Sequence, residues 1–145
     1  MADDEPNTAL LMFVGYRYAE DRIFRSMVEA GFDELTLPQA RLFARVQEGG
    51  TRLTDLADAA QVTKQTAGYL VEQLERAGYV ERVADPADAR ARLVRASARG
   101  EEARAAARVV ERQIEDEWTA YLGVRRMRAL REALTLLREV TDPFA

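Results

Sequence analysis

The sequence of 145 residues contains no histidine and no cysteine. Without them the chain cannot build a Ser-His-Asp or Cys-His catalytic machine, a thiol redox switch, a disulfide, or a zinc site with the usual nitrogen and sulfur ligands. A long hydrophobic run is missing too: the apolar stretch from Ala9 to Val14 falls far short of the roughly 20 residues that span a bilayer. The start, MADDEPN, is acidic where a secretory signal is basic, so the expected location is the cytoplasm. Lysine is nearly absent, Lys64 being the sole example, and arginine supplies every other side-chain cation. The net charge of -4 predicts no overall attraction to nucleic acid or to an anionic membrane, so any such attraction must be local. Carboxylates alone remain for catalysis. The run Glu115-Asp116-Glu117 occupies consecutive helical positions that point apart instead of facing as an acid/base pair, and neither enzyme activity nor a cofactor is expected.

What is present is helical periodicity on a scale that suits one domain. An apolar helix over residues 8–30 carries Leu11, Val14, Tyr16, Ile23, Met27 and Val28. Thr36 and Pro38 open a second helix with Ala40, Leu42, Phe43 and Val46, which Gly49-Gly50 stops. A short helix capped by Thr54 buries Leu56, Ala57 and Ala60, and Val62-Thr63 turns the chain into a third. That third helix runs from its cap at Thr63 to about Ala77, with Leu70, Val71 and Leu74 inward and Gly78 as a left-handed terminator. The period then changes. Tyr79, Val80 and Val83, the turn-rich ADPADARA, and Leu93-Val94 predict a two-stranded hairpin. Ser97 caps a long helix bearing Ala103, Ala106, Ala107, Val110, Ile114, Trp118 and Tyr121, and Gly123 separates it from a last helix with Val124, Met127, Leu130, Leu134, Leu137 and Val140 on one stripe. The expected fold is mainly α with a small β-hairpin, a single domain over residues 1–145. Residues 36–97 form a winged helix-turn-helix lobe. The helices of 8–30 and 98–141 are too apolar to face water and form a dimerisation region.

Charge concentrates in the middle of the chain. Residues 36–99 hold ten positive and eight negative side chains, while both flanking parts are net negative, so the lobe is the only cationic third. A helix-turn-helix followed by a basic hairpin is the physical description of a winged helix, with one helix in the major groove of DNA and the hairpin over the neighbouring minor groove. Lys64, Gln65, Thr66, Gly68 and Tyr69 fall on the outward side of the third helix near its start. Gln pairs bidentately with adenine, Thr bonds a base edge or touches a thymine methyl, Lys suits phosphate or guanine, and Tyr69 suits a phosphate or thymine methyl. Arg52, Arg82, Arg92 and Arg95 are candidates for phosphate. Thr36 and Thr54 cap helix N-termini, whose free N–H groups also bind phosphate.

LTLPQARLF, LTDLADAAQVTKQTAGYLVEQLERAGYVER, DPADARARLV and the helix start Ser97-Ala-Arg-Gly100 together resemble the MarR family (multiple antibiotic resistance regulator) of bacterial transcription factors, in that order and spacing. The resemblance implies a homodimer whose terminal helices interlock while two winged-helix lobes address a pseudo-palindromic operator, usually as a repressor. It implies that Arg90 is the wing-tip arginine that enters the minor groove and that Asp88 is the companion acid that holds the wing in shape. It also implies a small aromatic or anionic effector bound between the dimer base and the lobe, for which Phe13, Tyr16, Arg17, Phe43, Trp118 and Tyr121 are the candidates here. Lacking cysteine, the chain is not one of the family's thiol-oxidation sensors, and lacking histidine it has neither the usual metal ligand nor the usual pH switch. Gly68 and Tyr69 depart from the family pattern, which more often has a small polar residue followed by Arg or another polar one; a helix-interior glycine costs about 1 kcal/mol against alanine. The alternative function is a winged-helix dimer that acts through protein contacts without reading DNA.

Overall fold

The computed structural model describes residues 4–145, so Met1–Asp3 of the acidic start lie outside it. Six helices and one hairpin follow in the order α1 (Thr8–Glu29), α2 (Leu37–Phe43), α3 (Leu53–Ala60), α4 (Lys64–Arg76), β1 (Val80–Asp85), β2 (Asp88–Ala96), α5 (Ala98–Leu122) and α6 (Val124–Thr141). The mainly helical fold with a two-stranded hairpin is the one the periodicity predicts. No described helix is long and apolar enough to cross a membrane.

Side-chain caps place most helix starts. Asn7 accepts from the Leu10 N–H, Thr63 from Thr66 and Ser97 from Gly100, and Thr36 with Gln39 forms a reciprocal capping box behind Pro38. Thr54 does not act as a cap. The helix begins two residues earlier, at Leu53 with Arg52 at the cap position and no side-chain cap bond, because the residue before the cap is pinned: Thr51 exchanges two backbone hydrogen bonds with Val94 of the wing. The second helix also stops short of Gly49-Gly50. After Phe43 the N–H groups of Arg45 and Val46 turn to the carbonyls three residues back, which ends the α-helix and rolls Val46 into the core. Gly50 is needed there, since its φ is +111° and a Cβ would come 2.9 Å from Leu93 Cβ.

The two helices of the turn end in the same way. At α4, Gly78 (φ +85°) lets the Tyr79 N–H reach the Leu74 carbonyl and the Gly78 N–H reach Glu75. At α3 the same pair of bonds forms around Gln61, a non-glycine residue held left-handed at φ 58° and ψ 43°. The core sits between α2, α3, α4 and the wing, with Leu42, Leu56, Val71, Leu74 and Tyr79 essentially inaccessible. The rings of Phe32 and Phe43 meet Tyr79 edge-on at 6.1 and 6.4 Å, and burial pushes the Tyr79 hydroxyl up to about 12. The strands pair antiparallel from Val80 opposite Ala96 to Asp85 opposite Asp88, around Pro86-Ala87, with an irregularity at Ala84/Asp85. They therefore run further into ADPADARA than the apolar residues alone indicate.

Outside this lobe the helices are sparsely covered. Tyr18 of α1 packs against Trp118 of α5 at 6.5 Å, and Arg22 pairs with Glu117. Within α6 only Met127 is buried, while Leu130, Leu134, Leu137 and Val140 remain exposed; so do Leu10, Leu11, Phe13 and Val14 on α1.

Candidate nucleic-acid interface

The outward face of α4 follows from its period. Ala67, Leu70, Val71 and Leu74 are buried, which leaves Lys64, Gln65, Thr66 and Tyr69 exposed at the N-terminal half, Tyr69 at 62%. The Thr66 hydroxyl is not wholly free, because it lies 2.9 Å from the Thr63 hydroxyl at the cap. This face presents an ammonium, an amide, a hydroxyl and a phenol in two turns, a donor and acceptor set suited to base edges and phosphates.

The wing is built around two aspartates. Asp85 accepts from the Ala87 N–H at 2.9 Å and from Arg52 at 2.7 and 2.9 Å; these bonds, the backbone N–H first, hold its carboxyl below the usual carboxylate range. Asp88 accepts from the Arg90 N–H at 3.0 Å and so fixes the strand just past the turn. The cationic side chains that the sequence offers as DNA ligands then fall into two groups. Arg52 is turned to Asp85, Arg95 to Glu81 directly across the ladder at 2.7 Å, and the half-buried Arg82 to Glu75 of α4 at 3.8 Å. Lys64, Arg90 and Arg92 have no ion-pair partner among the described residues and are exposed. Thr36 is exposed at the start of α2, its hydroxyl engaged by the Gln39 N–H, and Thr54 is exposed in the first turn of α3.

A cleft of about 440 Å³ opens between α1, α2 and α5, floored by Ile23, Phe24, Met27 and Phe43. Of the six sequence candidates for an effector site, it gathers Tyr16 and Phe43. Phe13, Arg17, Trp118 and Tyr121 do not line it: Phe13 lies on the uncovered end of α1, Arg17 turns to Glu20, Trp118 packs on Tyr18, and Tyr121 is 90% exposed at the far end of α5. The polar wall comes instead from residues the sequence reading passed over, Glu20, Arg41, Arg104 and Arg108. Glu20 receives Arg41 through two 2.8 Å bonds, together with the Tyr16 hydroxyl and Arg17. Arg41 foremost, with these other donors, holds the Glu20 carboxyl down at about 2. The i, i+3, i+4 spacing of Tyr16, Arg17 and Glu20 was the available signal. Arg104 donates to the Val46 carbonyl at 2.6 Å and lies over the Phe43 ring, and Arg45 pairs with Asp142 beyond α6. The lobe is thus tied to α1 by Arg41, to α5 by Arg104 and by Arg99, which donates to the Tyr79 hydroxyl at 3.3 Å, and to the C-terminal segment by Arg45. No group of acidic side chains suited to a metal ion occurs among the described residues.

The sequence pattern of the MarR family matches residues 34–91, the stretch from the entry to α2 through the wing tip. Transcriptional regulator HosA of Escherichia coli O111:H- is 36% identical over 91 residues, covering 62% of this chain and 67% of HosA. Among solved structures, S. aureus MepR in complex with DNA superposes with a TM-score of 0.68 at 20% identity, over 94% of this chain and 99% of MepR. CouR from Rhodococcus jostii RHA1 bound to p-coumaroyl-CoA superposes with a TM-score of 0.72 at 19% identity, over 98% of this chain and 94% of CouR. The chain therefore belongs to the MarR family, a family of transcriptional regulators and not of enzymes.

Proposed function

We propose that this protein is a cytoplasmic, homodimeric repressor that binds a pseudo-palindromic DNA operator and is released by a small aromatic or anionic effector. The carrying observation is the set of exposed polar groups without side-chain partners in the lobe: Lys64, Gln65 and Tyr69 on α4, and Arg90 and Arg92 on the wing. Ion pairing ranks Arg52, Arg82 and Arg95 below Arg90 and Arg92 as DNA ligands, and these three contribute chiefly by shaping the wing. Thr54, in the first turn of α3, serves as a backbone-end phosphate contact, Thr36 supports the interface by closing the start of α2 with Gln39, and Asp88 acts through Arg90. In this reading residues 36–97 are the DNA-binding lobe. Residues 8–30 and 98–141 join two copies, which covers the apolar side chains that a single chain leaves exposed on α1 and α6. The complex of MepR with DNA supports the first assignment.

The cleft beside Phe43 is the effector site of this proposal, with an apolar floor for a ring and Arg104 and Arg108 for an anionic group. The acyl-CoA bound by CouR supports a ligand-responsive regulator of this shape. The test is DNA binding as a function of salt. Affinity falls steeply as salt rises, Arg90→Ala and Arg92→Ala each weaken it severalfold, and Arg95→Ala weakens it less. Absence of binding to genomic fragments at about 50 mM salt would overturn the proposal and favour the protein-contact alternative.

A further inference from the structure

We infer that Gly68 brings the backbone of α4 into direct contact with the DNA, and that the residue is a specificity determinant whose glycine serves that approach and not the fold. The inference rests on the DNA-binding reading above. Three glycines lie inside helices, Gly15, Gly68 and Gly100. Each weakens its helix relative to alanine, so each needs a reason. For Gly100 the reason is internal: a Cβ there would overlap the Tyr79 carbonyl oxygen and press on Ala96 and Phe43 at 3.2 Å. Gly15 meets nothing within 4 Å, but it lies on the part of α1 assigned to the second copy.

Gly68 has no internal reason. A Cβ would meet only Leu53 Cδ2 at 3.8 Å, an ordinary van der Waals contact, and the backbone is helical with no positive φ. The protein thus has room for a side chain that the sequence omits. Gly68 is half-buried at the edge of the outward face of α4, with the buried Val71 three residues on along its inner side and three polar residues on its outer side: Lys64 one turn before, Glu72 one turn after, and Gln65 three residues before. Those three polar neighbours are exposed. The missing side chain therefore leaves a notch among the groups that reach for bases and phosphates. Glycine is the residue that lets a backbone come close to a ligand. A methyl group at this point would hold the helix off the groove and lengthen the hydrogen bonds made by Gln65 and Lys64, which weaken steeply with distance.

The experiment compares the full-length protein with Gly68→Ala by thermal melting and by titration against the tightest sequence selected from a random DNA pool. The inference predicts that the variant melts about 3 °C higher, from its better helix propensity, and binds that sequence at least tenfold more weakly. Affinity within twofold of the unaltered protein would overturn it, showing a glycine that is only tolerated. A lower melting temperature would also overturn it, because the fold would then be what needs glycine. Failure of the underlying reading is distinguishable: the unaltered protein would itself select no DNA, and the inference would fall with it.

Discussion

Glu20→Gln releases the grip of α1 on the lobe while keeping the side chain's volume. Glu20 is 10% exposed, and both its oxygens are occupied, by Arg41 at 2.8 Å and by Tyr16 and Arg17. Its carboxyl is held at about 2 against an ordinary 4.5. A shift of that size corresponds to about 3 kcal/mol of folding stability at neutral pH. The Arg41 side chain is 45% exposed, so solvent screening reduces the expected loss to about 1–2 kcal/mol. Because the folded-state pKa is depressed, the contribution is fully present above the unfolded value and disappears as pH falls from about 4.5 toward about 2. The gap between Glu20→Gln and the unaltered protein should therefore narrow by about half between pH 5 and pH 3. Urea unfolding followed by circular dichroism measures it, at fixed protein concentration because self-association links stability to concentration. A gap below about 0.3 kcal/mol at pH 7, or one of equal size at pH 3 and pH 7, would refute the reasoning.

Two further substitutions test the backbone argument. Gln61→Gly should stabilise the protein by about 0.5–1 kcal/mol, since glycine occupies the left-handed position at the end of α3 without strain; an unchanged urea midpoint would contradict this. Gly100→Ala should cost about 2–3 kcal/mol, seen as a fall in melting temperature, because the start of α5 must move away from the Tyr79 carbonyl oxygen.

Helix starts were legible wherever a short polar side chain stands one residue before an apolar period, as at Thr36, Thr63 and Ser97, because capping is a local interaction. Thr54 obeys the same local rule and yet is not a cap, since the bridge between Thr51 and Val94, residues 43 apart, decides where α3 begins. Gln61 was illegible for a related reason: the turn demands a left-handed residue there, and tertiary packing supplies what the residue type does not favour. The outward face of α4 could be read from period alone. The division of the arginines could not. Whether an arginine is engaged depends on partners far along the chain, as with Arg52 and Asp85 or Arg41 and Glu20. Most of the effector candidates lie away from the cleft for the same reason, because helical spacing places Phe13, Trp118 and Tyr121 on faces without stating which helices meet.

Selection of bound sequences from a random DNA pool at about 50 and 200 mM salt tests the central claim most directly. The account predicts an enriched pseudo-palindrome with half-sites about one helical turn apart, with less recovered at the higher salt. A pool that emerges without any enriched sequence at the lower salt would contradict it.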